Sequence, residues 1–169
     1  MRHFHLSAMS LVIAALGLAS VNAAAQPTTG NYWIKNRNSN LCLDVEDEST
    51  EPGAQIIQSR CTRREDQQFR LAVDGRNPDL YYLIVDRTGQ CMGPRRRDSM
   101  NPRAPMVQAP CTTQDHHKFR LVSMGSYYRI VSERSGLCLA VDGSSLEEGA
   151  RILQFGCHGR PNQQFRFVP

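Results

Sequence analysis

Six cysteines, a run of acids and a run of arginines are the residues of this 169-residue sequence best placed to do chemistry. The cysteines fall into pairs 19 or 20 residues apart: Cys42 and Cys61, Cys91 and Cys111, Cys138 and Cys157. An even number of cysteines with no C-x-x-C spacing argues against a zinc site and for disulfides. The stretch from Asp44 to Glu51 holds five acids and no base. Arg95, Arg96 and Arg97 are adjacent, with Arg87 and Arg103 close in sequence. Their bland reading is a solvated loop. The sharper one is a contact for sialic acid, a sulfated glycan, a phospholipid headgroup or an acidic partner protein. His116 and His117 would face opposite sides of a strand, and His158 lies far along the chain, so no metal centre is expected and no cofactor is implied. No G-x-S-x-G is present, nor any carboxylate pair that spacing alone brings together, which points to a binding protein rather than an enzyme. A formal net charge of +4 is too small to argue for nucleic acid.

These residues sit in a paragraph of sequence written three times, each copy 46–50 residues long. The copies open on Tyr32-Trp33-Ile34, Tyr81-Tyr82-Leu83 and Tyr128-Arg129-Ile130, and each reaches its first cysteine ten residues after the tyrosine. They close on Phe69-Arg70-Leu71, Phe119-Arg120-Leu121 and Phe165-Arg166-Phe167. Of the 15 pairings that six cysteines allow, the repeat singles out Cys42–Cys61, Cys91–Cys111 and Cys138–Cys157. Short alternating stretches between turns rich in Gly, Pro, Asn and Asp predict strands, and no window carries a sustained helical period. A threefold internal repeat of this kind predicts one fold built from three like units. Phe69, Phe119 and Phe165 form the expected core triad, their rings meeting in one central layer. Gln58, Gln108 and Gln154, each three residues before a second cysteine, are expected to bridge backbone groups that the turns leave unpaired. By strand parity Leu41, Leu43 and Val45 share one face, so Asp44 should point from the core to where a ligand could reach it.

The amino-terminal residues 1–25 have the composition of a cleaved signal peptide: Arg2, an apolar run over residues 6–18, and Ala23-Ala24-Ala25 before Gln26. A secreted or periplasmic location follows as an expectation, in keeping with disulfides. Nothing later is long or apolar enough to predict a membrane span.

The C-L-D-V of 42–45, the G-A-x-I-x-Q of 53–58 and 149–154, and the Q-Q-F of 67–69 and 163–165 resemble the ricin B-type lectin domain. The resemblance covers about residues 30–169 and looks like an exported, bacterial-type, single-domain member. It implies an all-β β-trefoil over residues 32–169, after the signal peptide and a short leader at 26–31, with repeats at about 32–79, 80–126 and 127–169. It also implies one disulfide within each repeat and up to three shallow sugar pockets. Each family pocket needs a carboxylate two residues after the first cysteine and an aromatic ring two residues before the second. An Asn-Gln pair ahead of the core aromatic completes it.

On that pattern the first repeat offers Asp44 with Asp66-Gln67, but Ser59 where the ring should be. The second has Gly93, Ala109 and His116-His117, so its site looks dead. The third has Phe155 with Asn162-Gln163, while Ala140 replaces the acid and Asp142 stands two residues further along the same face. The resemblance therefore implies a lectin-like module with degenerate sites in the first and third repeats, binding galactose-type, xylan-type or other glycans. The alternative is a non-catalytic binding or delivery subunit of a secreted toxin-like complex, with the trefoil as a scaffold for a protein partner.

Overall fold

A computed structural model describes residues 26–169 of the chain. The signal peptide expected over residues 1–25 lies outside the described residues. Along the chain run β1 (Gly30–Asn36), β2 (Cys42–Val45), β3 (Ile56–Ser59), β4 (Gln68–Asp74), β5 (Asn77–Val85) and β6 (Cys91–Pro94). They are followed by β7 (Met106–Ala109), β8 (Phe119–Met124), β9 (Tyr127–Ser132), β10 (Cys138–Val141), β11 (Ile152–Phe155) and β12 (Phe165–Val168).

Six strands close a barrel. β1 pairs with β4, β4 with β5, β5 with β8, β8 with β9, β9 with β12, and β12 returns to β1, all antiparallel. The hairpins β2–β3, β6–β7 and β10–β11 form a cap, tied to one another by bridges between Gln55 and Val107, Ile57 and Arg151, and Pro105 and Leu153. Closure and cap together are the β-trefoil that the three copies predict.

Alternation makes the barrel. Tyr32 and Ile34, Tyr81 and Leu83, Tyr128 and Ile130 are buried, each pair separated by a residue that is less so. Each opening tyrosine stands opposite a core phenylalanine: Tyr32 to Phe69, Tyr81 to Phe119, Tyr128 to Phe165. All three phenylalanines are fully buried in one hydrophobic cluster, as expected. The edge-to-face ring contacts in that cluster run from Phe167 to Tyr32 at 5.6 Å and to Tyr128 at 5.7 Å.

All six cysteines pair within their own repeats, with Cα–Cα distances of 5.1, 4.8 and 5.1 Å. Each bond ties the start of a cap hairpin to the loop beyond it. Closing loops of this length contributes roughly 3 kcal/mol apiece in the chain-entropy picture.

The three glutamines do bridge backbone, but across repeats. Gln58 Nε2 donates to Ser145 O and Glu147 O in the third repeat, Gln154 Nε2 to Ser99 O and Asn101 O in the second, and Gln108 Nε2 to Ser49 O and Glu51 O in the first. Their Oε1 atoms accept from the hydroxyls of Ser39, Ser135 and Thr88 within their own repeats. The cap is thus a ring of three staples, each repeat holding the next.

Candidate functional site

Each repeat builds the same kind of surface from three pieces: the first cap strand with the 3₁₀ turn after it, the residue two before the second cysteine, and the turn ahead of the core phenylalanine. What fills those positions differs in each copy.

In the first repeat a cavity of about 230 Å³ is lined by Asp44, Ser59, Asp66 and Gln67. Asp44 is not in the open position that parity suggested. β2 is buried on both faces, leaving Asp44 8% exposed. Its Oδ2 accepts from Gln67 Nε2 at 2.9 Å, and its Oδ1 is buried without a partner. Burial pushes its carboxyl up, the Gln67 amide opposes this, and the neighbouring Asp66 adds to it. Asp66 is 3% exposed, with Arg64 Nε at 3.5 Å. Gln67 is a turn staple: its Oε1 accepts from Thr62 N and its Nε2 donates to Arg60 O as well as to Asp44. The nearby acid run is countered from outside, since Glu48 pairs with both Arg64 and Arg87. Two adjacent carboxylates and no flat ring can accept hydrogen bonds but give a sugar nothing to stack on.

The second repeat is closed. A Cβ at Gly93 would lie 2.6 Å from His116 O and 2.7 Å from the His117 ring, so no acid fits there. His117 stands where Gln67 stands in the first repeat and takes over its task, its Nδ1 accepting from Thr112 N at 3.3 Å. The two imidazoles are 4.1 Å apart and buried. Burial lowers His116, as do Arg134 and Arg96; burial and then His116 bring His117 to about 4. Arg95, Arg96 and Arg97 are exposed and, with Arg134, line a shallow depression. Arg87 and Arg103 do not join them: Arg87 pairs with Glu48 and Arg103 with Asp142, in the pockets of the other repeats.

The third repeat keeps the most complete pocket, about 340 Å³. Phe155 forms part of its wall and is 37% exposed, with His158 edge-on at 6.3 Å. Asn162 is 5% exposed; its Nδ2 donates to Val141 O at 3.3 Å while its Oδ1 is buried without a partner. Asp142 lines the same cavity, held by Arg103 at 2.9 Å and Arg151 at 3.1 Å. Gln163 is again a staple, accepting from His158 N and donating to Gly156 O, with both ends of its amide used. The structure therefore brings Phe155, Asn162 and Asp142 together. It also adds Arg103, His158 and Arg160, none of which the sequence pattern assigned to a sugar pocket. Arg103 belongs to the second repeat, so a comparison made copy by copy could not place it here.

No cluster of three or more His, Cys, Asp or Glu suited to a metal ion occurs among the described residues. No described helix is long and apolar enough to cross a membrane.

The designed threefold-symmetric protein ThreeFoil is similar over 82% of this chain and 98% of its own, at 34% identity and a TM-score of 0.78. An exo-beta-1,3-galactanase from Clostridium thermocellum is 27% identical over 84% of this chain but only 30% of its own, with a TM-score of 0.78. The Macrolepiota procera ricin B-like lectin, solved with lactose, shares the fold at 14% identity and a TM-score of 0.70, over 85% of this chain and 99% of its own. No curated protein matches the sequence significantly. The sequence profile of the ricin-type beta-trefoil lectin domain matches residues 30–165. With three disulfide-closed repeats around one core, the chain belongs to that family of non-catalytic carbohydrate-binding modules.

Proposed function

We propose that this chain is an exported lectin-like protein that binds glycan weakly, chiefly through the third-repeat pocket. The observation that carries this reading is the half-exposed Phe155 ring lining the same cavity as Asn162, whose Oδ1 is buried without a partner. A pyranose stacks its apolar C–H face on the ring while its hydroxyls meet Asn162 and the Asp142–Arg103 pair. One phenylalanine and a few hydrogen bonds support a Kd of about 0.1–1 mM, a range that avidity extends. The first-repeat pocket is a weaker second site, offering Asp44 Oδ1 and Asp66 to hydroxyls without a platform. The galactanase among the similar structures supports galactose-type glycans as the first to test. Disulfides in all three repeats favour a secreted or periplasmic setting.

A broad glycan array probed with the disulfide-bonded chain beside Phe155→Ala and Asp44→Ala tests the reading. Specific hits that weaken about tenfold in Phe155→Ala, with little loss in Asp44→Ala, are expected. Silence of the parent chain across the array rejects the proposal and favours the alternative, a trefoil scaffold for a protein partner.

A further inference from the structure

We propose that the seam between the first and third repeats, where β1 meets β12, is a second binding site, selective for a sugar that carries a carboxylate or sulfate group. A cavity of about 310 Å³ lies there, at the lower edge of the range usual for small-ligand pockets. It shares no lining residue with the pockets of the first or third repeat. Trp33 and Tyr127 supply rings, and Lys35, Arg63 and Arg166 supply charge; no acidic residue lines it.

Three features of this seam are unfavourable for the fold by itself. Lys35 and Arg166 are directly opposite each other on β1 and β12, and like charges in that register repel. Neither has an ion-pair partner among the described residues, although arginines elsewhere on the surface find acids: Arg60 with Glu148, Arg120 with Glu133. Arg63 adopts a left-handed backbone with φ at 62°. The third repeat puts Gly159 at the same place, two residues after the second cysteine, with φ at 69°. A glycine takes that conformation freely, whereas an arginine there is strained. Its guanidinium lies over the Trp33 ring, 5.6 Å from the centroid.

Arg166 is held in a comparable way. Its guanidinium lies 4.7 Å from the Tyr127 centroid and donates to the Tyr127 hydroxyl at 3.1 Å. Two planar forks fixed against rings beside an ammonium group form a preorganised receptor for an oxyanion, which would offset the Lys35–Arg166 repulsion. The cavity of about 310 Å³ would take the body that carries the anion, beside ring faces already covered by the guanidinium groups of Arg63 on Trp33 and of Arg166 and Arg37 on Tyr127.

Trp33 is the single tryptophan of the sequence, so its emission reports directly on this seam. The disulfide-bonded chain is titrated at low salt with glucuronic acid, a sulfated disaccharide, inorganic sulfate and glucose. A saturable change with either acidic sugar is expected, at least tenfold tighter than with inorganic sulfate and absent with glucose. A response to only one of the two supports the site and identifies the group as carboxylate or sulfate. Arg63→Gly, which relieves the backbone and so keeps the fold, and Arg166→Gln should each weaken the response tenfold or more. Array binding lost in Phe155→Ala should be untouched by either change, which separates this site from the neutral-sugar reading. Lys35→Gln should raise the melting temperature of the free chain; a lowered one overturns the repulsion argument. Flat titrations with both acidic sugars, an equal response to glucose, sulfate binding as tightly as the disaccharide, or a response that survives both arginine changes overturns the proposal.

Discussion

His117 holds a turn that its counterparts hold with an amide. Thr62 N and His158 N are met by Gln67 and Gln163, but Thr112 N is met by the Nδ1 lone pair of an imidazole, which exists only while that nitrogen is unprotonated. The folded chain keeps His117 neutral down to about pH 4, whereas the unfolded chain takes up the proton near 6.5. The unfolded state therefore binds more protons between those values, and stability falls as pH is lowered through that window. The loss amounts to something on the order of 2–3 kcal/mol. Asp44, held above its ordinary range, works against this, its penalty fading as acid is added. Urea unfolding of His117→Gln should show a distinctly shallower loss of stability than the parent between about pH 7 and pH 4; parallel profiles would remove His117 from the account. The identity of these side chains was legible in the sequence, but their reach was not. Parity assigned Asp44 to a face correctly separated from Leu43, yet it could not show that the turn carrying Gln67 covers that face.

At the scale of the elements, the cap hairpins depend on amides donated from a neighbouring repeat. Gln108→Ala would strip Ser49 O and Glu51 O of their donor and the Thr88 hydroxyl of its acceptor, and would empty the space of the fully buried Gln108 side chain. Leaving such groups unpaired should cost about 1–3 kcal/mol, read as a lowered denaturation midpoint at unchanged m-value. A loss below about 0.5 kcal/mol would show that the backbone bonds from Gly53 N to Gln108 O and from Gln108 N to Ala54 O suffice alone. The regular spacing of Gln58, Gln108 and Gln154 before the second cysteines revealed a structural task. It did not reveal the partner, because aligning copies shows which residues correspond and not which copies touch. The same blindness hid Arg103 in the third-repeat pocket and the cavity between β1 and β12.

At the scale of the whole molecule, one architecture carries three local chemistries. The first repeat's pocket is acidic around Asp44 and Asp66, and the second repeat presents Arg95, Arg96 and Arg97. The third keeps a ring, an amide and a neutralised acid. The trefoil was readable because tyrosines, cysteines and phenylalanines repeat in register over nearly the whole described chain, and each repetition constrains the same core. Ligand-facing positions carry no such redundancy. Each has diverged separately, so the family pattern indicated which positions to compare but not what surrounds them.

The antiparallel pairing of β12 with β1 has a consequence for how the polypeptide is threaded. β4–β5 and β8–β9 are hairpins joined by short turns, and β12–β1 is the third member of that set, lacking only the turn. The backbone is in effect a circle cut at one of three equivalent places. A circular permutant that joins Pro169 to Gly30 through a short loop and starts at Ser126, with Gly125 as its last residue, keeps every ladder and all three disulfides. Both new ends are exposed, as permutation requires. It should unfold cooperatively within about 2 kcal/mol of the parent by chemical denaturation. A permutant that fails to oxidise to the three native pairs would mean that the order of the repeats matters to folding, although it does not matter to the finished shape.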